Sequence, residues 1–229
     1  MRGHARPDAP PLTAQRTATA RDRILAVALD VIRAQGYAGT TVDDLCAAAH
    51  VTKGAFFHHF ASKEQLAVEA AEHWSETTSA LFAAAPYHEA VDPRDRVLAY
   101  VDFRAALLKG TVPEFTCLVG TLVQEVHESS PAIRDACARC ITAHAGTLEA
   151  DIAAALAAGS RRAGIDARSL ALHTQAVLQG AFVVAKATQD VADAAASVAH
   201  LRRYLEMLFD RPPKPPRRGR PTTTRKVKR

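Results

Sequence analysis

From Thr19 to Gln35 apolar residues fall at Ile24, Ala28, Val31 and Ile32, with Leu25 and Leu29 beside them. That spacing predicts a helix with one buried face. Gly36 follows as a stop, because glycine enters the left-handed conformation at little cost, and Tyr37 is expected to fold back onto the helix. Thr40-Thr41 opens a second helix. A threonine hydroxyl can cap free backbone N–H groups, and Asp43 and Asp44 sit in the first turn, where the helix dipole favours acids. Leu45 and Ala48 read as inward, and Ala49 is small enough for a close helix crossing. His50 takes the turn, histidine being among the residues enriched at positive φ. Thr52 caps a third helix, anchored to the core by Phe56 and Phe60, four apart. Lys53, Gly54, Ala55, Phe57, His58 and His59 are left outward or toward the helix ends. Two short helices across a tight turn read as a DNA-binding helix-turn-helix.

The same periodicity continues to residue 209. Ser62 caps a fourth helix reaching about residue 84, with Leu66, Ala70, His73 and Trp74 in register. Residues 86–93 read as a loop, 95–109 as a helix broken by Gly110 and Pro113, and 116–128 as a strongly apolar helix. Ser129-Ser130-Pro131 starts a long helix ending at Gly159, proline in the first turn being a start signal. Gly164 centres a loop, Asp166 caps a helix over 167–188, and a last helix covers 190–209. The fold class is therefore all-α, with about nine helices in total. A three-helix DNA-binding domain (19–66) is joined to a larger helical domain (67–210), between an arm over 1–18 and a tail over 211–229, both expected to be disordered. Abundant alanine and rare β-branched runs agree with that class.

Composition changes the picture mainly through charge. The chain is 48% hydrophobic and 23% charged, a globular balance, with a formal net charge of +5. Nine of the 29 basic residues lie in 211–229, which holds no acid, leaving 20 basic against 24 acidic side chains before it. The basic excess belongs to the tail, and such tails meet polyanions. No apolar run approaches the length of a membrane span, the N-terminus lacks the apolar core of a signal peptide, and four cysteines without a secretory signal suggest reduced thiols. A cytoplasmic, nucleoid-associated protein is expected, with no membrane partner.

The run GYAGTTVDDLCAAAHVTKGAFFHHFASKEQL resembles the N-terminal domain of the TetR family of transcriptional regulators. The resemblance rests on Gly36-Tyr37, Thr40-Thr41-Val42, the Ala-x-Val-Thr turn, Lys53-Gly54, His59-Phe60 and Ser62-Lys63-Glu64, from about Thr19 to Trp74. Two positions depart from the family pattern: His50 stands where glycine is usual, and Phe57 where tyrosine often supplies a phosphate-binding hydroxyl. The resemblance implies a homodimeric repressor released from a palindromic operator by a small-molecule or reactive effector, with the last two helices as the dimer interface. It implies DNA contact by Thr40, Thr41, Thr52, Lys53, Gly54, Ala55, Phe57, His58, His59 and Lys63. Lys53, Gly54, Ala55 and His58 lie nearest to base edges, and Lys53 is able to meet guanine O6 and N7. The threonines, His59 and Lys63 are assigned to phosphate. Arg218-Gly219-Arg220-Pro221 resembles an AT-hook, making Arg218 and Arg220 candidates for minor-groove contact; a generic basic tail with phosphate affinity is the other reading.

Enzyme constellations are missing from the sequence. There is no GxSxG, glycine-rich phosphate loop or His-Glu-x-x-His, and the ten histidines have no metal-ligand spacing. No catalysis, metal or cofactor is expected. Phe103, Phe115, Cys117, Val123 and His127 are candidates to line an effector cavity, core packing being the other account of each. Cys117-Leu118-Val119-Gly120 is similar to a segment of TetR members that respond to electrophiles or oxidants, which makes Cys117 a candidate sensor. Cys46, Cys137 and Cys140 read as packing. A second functional class stays open: an architectural DNA-binding protein without an effector, acting through the basic tail.

Overall fold

The computed structural model describes residues 18–159 and 164–209, and the readings for the N-terminal arm before residue 18 and for the tail, Arg218 and Arg220 included, lie outside these. Among the described residues there are ten α-helices, one short 3-10 turn and no strand. Helices α1 (Ala20–Gln35), α2 (Val42–Ala49), α3 (Lys53–His59) and α4 (Lys63–Ala83) form the N-terminal part. Each starts on a side-chain cap: Thr19, Thr41, Thr52 and Ser62 accept from the backbone N–H three residues on. Thr19 with Asp22 and Thr41 with Asp44 are complete capping boxes, and such caps contribute about 1 kcal/mol each. His50 ends α2 in the left-handed conformation, φ 53° and ψ 49°, as the turn requires.

Helix α5 (Pro93–Ala106) follows a 3-10 turn over Pro86–Glu89, where a loop is expected; the turn forms because Tyr87 is buried against Tyr100. Between α5 and α7 (Leu118–Val126) lies an additional helix, α6 (Val112–Phe115). Pro113 was read as a breaker, yet it occupies the first turn of α6, where its missing N–H costs nothing. Glu114 closes a capping box with Thr111. The long α8 (Pro131–Gly159), α9 (Ala167–Thr188, capped by Asp166) and α10 (Val191–Phe209) complete the chain.

Two cores result. One joins Ile24, Ile32, Leu45, Phe56, Phe60 and Leu66 to Leu118, Leu122, Ile133 and Cys137. The other fills the far end with Tyr100, Val101, Leu148, Ile152, Leu178, Leu201 and Leu205. No break in the core falls at residue 66, because α4 and α7 share the first cluster with α1. Within α2 the buried face is Leu45, Cys46 and Ala49, while Ala48, read as inward, is exposed.

Candidate nucleic-acid interface and the cavity behind it

Helix α3 is seated by Phe56 and Phe60, which are 0% and 1% exposed and stand 5.7 Å apart. Burying both rings fixes the opposite face outward. Thr52, Lys53, Gly54, Phe57 and His58 are exposed there, Phe57 to 53%, with Ala55 and His59 partly covered. Lys53 Nζ lies 2.9 Å from Asp43 Oδ1 on α2, both side chains mostly exposed, and that carboxylate raises the lysine pKa by hydrogen bond and charge. A Cβ on Gly54 would meet nothing nearer than Thr52 Oγ1 at 3.8 Å, so nothing inside the chain demands glycine there.

The threonines differ in what they can still offer. Thr52 Oγ1 accepts from Ala55 N at 3.1 Å and keeps its own hydrogen for an outside acceptor. Thr41 spends its hydroxyl hydrogen on Asp44 Oδ2 at 2.7 Å. Thr40 requires correction as a phosphate ligand: it is 1% exposed, and its hydroxyl donates to Gly36 O at 2.6 Å. Lys63 also has an internal role. Its ammonium donates to Tyr37 O at 3.0 Å and Thr40 O at 2.8 Å, and sits 4.1 Å from the Tyr37 ring centre. Two of its three N–H groups are thus committed to bracing the α1–α2 turn.

A cavity of about 210 Å³ opens behind this head, among α4 to α9. Phe115 and Cys117 line it as expected. Phe103 does not; its ring stacks on Phe82 and Tyr87 in the second core. Val123 packs into the first core, and His127 is exposed at the end of α7. Val123 and His127 are corrected as lining residues because α7 turns a different face to the cavity, the one that carries Val119, and Phe103 because α5 turns it into the second core. The residues that sequence reasoning missed include Trp74, Arg104, His144, Gln175 and Phe182. Only Trp74 carried a signal, as a large aromatic in the register of α4.

Tyr100 organises one wall. Its hydroxyl accepts from Gln175 Nε2 at 2.9 Å and from Arg104 at 3.3 Å, and it donates to His144 Nε2 at 3.0 Å. Burial and the Arg104 charge push the His144 pKa down to about 4, so the imidazole is neutral near pH 7. Burial likewise raises the Cys137 thiol to about 12 and moves Cys140 upward, leaving both protonated and unreactive.

Wall and head are physically joined. Cys117 opens α7, and eight residues on Glu125 accepts from the backbone N–H groups of Tyr37 at 3.1 Å and Ala38 at 2.8 Å. Gly36 has φ 82°, which favours glycine, and a Cβ there would stand 2.6 Å from the Glu125 carboxylate and displace it from the turn. Arg33 of α1 donates to Glu114 O at 2.9 Å, and its guanidinium lies 5.1 Å from the Trp74 ring.

Two family descriptions match the chain: bacterial regulatory proteins of the tetR family over residues 24–70, and the tetracyclin repressor-like C-terminal domain over 93–201. The chain is 40% identical over 62 residues to the HTH-type transcriptional regulator TcmR of Streptomyces glaucescens, covering 27% of each chain. It is 30% identical over 125 residues to the regulator LmrA of Bacillus subtilis, covering 51% of this chain and 62% of that one. It is 28% identical to the repressor DhaR of a Mycobacterium species over 50% of this chain and 56% of that one. The matches thus span between a quarter and two thirds of these relatives. Among solved structures, a TetR-family regulator from Agrobacterium tumefaciens superposes with TM-score 0.72 at 22% identity, covering 82% of this chain and 97% of that one. One from Chloroflexus aurantiacus superposes with TM-score 0.68 at 27% identity, covering 81% and 93%. With a helix-turn-helix head seated on a larger helical body, and both halves matched, the chain belongs to the TetR family of regulatory proteins.

Proposed function

We propose that the protein is a homodimeric transcriptional repressor whose two α3 helices enter major grooves of a palindromic operator, and that a small molecule in the cavity releases it. The observation that carries this reading is the outward face of α3. Its polar side chains, Lys53, Thr52 and His58, make no commitment that DNA could not displace; the Lys53–Asp43 pair is exposed, and such pairs contribute roughly 0–1 kcal/mol. Lys53, Gly54, Ala55 and His58 meet base edges, while Thr52 and His59 meet phosphate.

The dimer is supported by apolar surface on the last two helices. Leu172, Val183 and Val184 of α9 are 37–43% exposed, and Met207 of α10 is 60% exposed. Gly180 lies between them with open space at its Cβ position. Symmetric association of such a face gives a two-fold axis, and a two-fold protein reads an inverted repeat. Release follows from Glu125, which ties the cavity helix α7 to the α1–α2 turn. An effector acts by its differential affinity for the DNA-competent and released states.

The test is selection of bound duplexes from a random pool by the full chain, with the mass of the free protein measured in solution. The expected result is a dimer and an inverted repeat whose half-sites are centred about one helical turn apart or more. A monomer, or selected duplexes without two-fold symmetry, contradicts the reading.

A further inference from the structure

Arg104 carries a charge that nothing in the cavity balances. It stands in the last turn of α5, half-buried, where the helix dipole tolerates a cation. Its guanidinium lies over three aromatic faces, 5.3 Å from the Phe82 ring centre, 5.8 Å from Phe182 and 6.0 Å from Tyr100. Its hydrogen bonds run from Nη1 alone, to the Tyr100 hydroxyl and to His144 Nε2, each at 3.3 Å. Both acceptors are neutral. Among the described residues Arg104 makes no ion pair, although nine other basic–acidic contacts are formed elsewhere. A guanidinium presents five N–H donors in a planar fork suited to a carboxylate, and among the described residues the edge bearing Nε and Nη2 has no hydrogen-bond acceptor.

The other polar groups of the cavity do not supply the missing charge. The lining carboxylate, Glu114, holds Thr111 N at 2.5 Å and Thr111 Oγ1 at 2.7 Å, closing the cap of α6. Gln175 is 4% exposed and gives its amide to Tyr100. The remaining wall is mostly apolar and ring-rich, with Trp74, Phe115, Phe182 and Ile141, and its other polar groups, Thr78 and Gln179, are uncharged. A buried or half-buried charge away from water is stable when it is paired.

We propose that the ligand of this cavity is a flat apolar molecule bearing a single carboxylate, an arene carboxylate in the simplest case. Its carboxylate pairs with the Nε–Nη2 edge of Arg104, and its ring body lies among Trp74, Phe115 and Phe182. One cation with free donors, beside a neutral imidazole and with Glu114 held in the α6 cap, sets the charge at one. A dianion lacks a second partner, and a neutral ligand leaves the guanidinium uncompensated. The proposal rests on the cavity being the effector site and adds the chemistry of what enters it.

The experiment uses the full chain and three matched pairs of probes: benzoate, phenylacetate and 2-naphthoate, each with its primary amide. Calorimetry measures binding, and fluorescence anisotropy of a selected operator duplex measures release. The expected result is that at least one acid binds tenfold or more tightly than its amide. Arg104→Gln should remove that preference while leaving amide binding within twofold, and Arg104→Lys should retain part of it. The wild-type comparison stands even if a variant fails to fold. Equal affinity for acid and amide overturns the proposal, as does an acid preference that survives Arg104→Gln, or failure of every acid to bind. An acid preference without operator release upholds the ligand class and instead overturns the reading of the cavity as an effector site.

Discussion

Helix α3 and the cavity each hold a cation, in opposite surroundings. Lys53 stands in water beside Asp43, its side chain 60% exposed. Arg104 stands among rings with only a phenol and a neutral imidazole to bond. Screening over a Debye length of about 8 Å makes the first charge cheap to re-pair, so it can leave Asp43 for a polyanion. The second charge is half-buried among rings and forms no ion pair among the described residues, so a ligand carboxylate there would, as proposed, be selected rather than merely attracted. One element therefore favours exchange and salt-dependent binding, and the other favours selectivity.

The largest effect expected from this contrast is at His144. An unfolded histidine takes up a proton near pH 6.5, while the folded one resists until about pH 4. The unfolded state therefore binds more protons in that interval, and stability falls as pH drops from about 6.5 to 4, levelling off below. The contribution is up to about 3 kcal/mol. Urea unfolding at stepped pH should show this slope, reduced in His144→Gln; an identical slope in the variant would remove His144 from the account. On the exposed side the change is smaller and its two readouts have opposite signs. Gly54→Ala has room inside the chain, so it should stabilise the fold by about 0.5–1 kcal/mol while weakening operator binding through the added methyl. Thermal melts and operator titrations test the two signs separately, and a variant that is stabilised and binds as well as wild type would place DNA away from Gly54.

The helices were legible in the sequence because their signals are local. Thr41, Thr52, Ser62 and Asp166 cap the helices as their positions suggest, and His50 holds the positive φ its place in the turn demands. Even α6 had a local signal, the Thr111-x-x-Glu114 box, obscured by reading Pro113 as a breaker rather than a first-turn residue. The outward face of α3 was equally accessible, since Phe56 and Phe60 fix it by spacing alone. What spacing could not convey is where a side chain goes once helices distant in sequence meet. Thr40 and Lys63 turn to carbonyl groups of the α1–α2 region, and Arg104 and His144, forty residues apart, meet through Tyr100. Phe103 and Val123 failed as lining residues for the same reason, each facing a neighbour that only the tertiary packing supplies, while His127 ends α7 in solvent.

The proposed reading of DNA by α3 runs through Lys53. It is tested most directly by titrating wild type and Lys53→Ala against the selected operator and against a random duplex, at two salt concentrations. The variant is expected to stay folded and dimeric, to lose about 1–3 kcal/mol on the operator, and to lose much less on the random duplex. Unchanged operator affinity in the folded variant would contradict it.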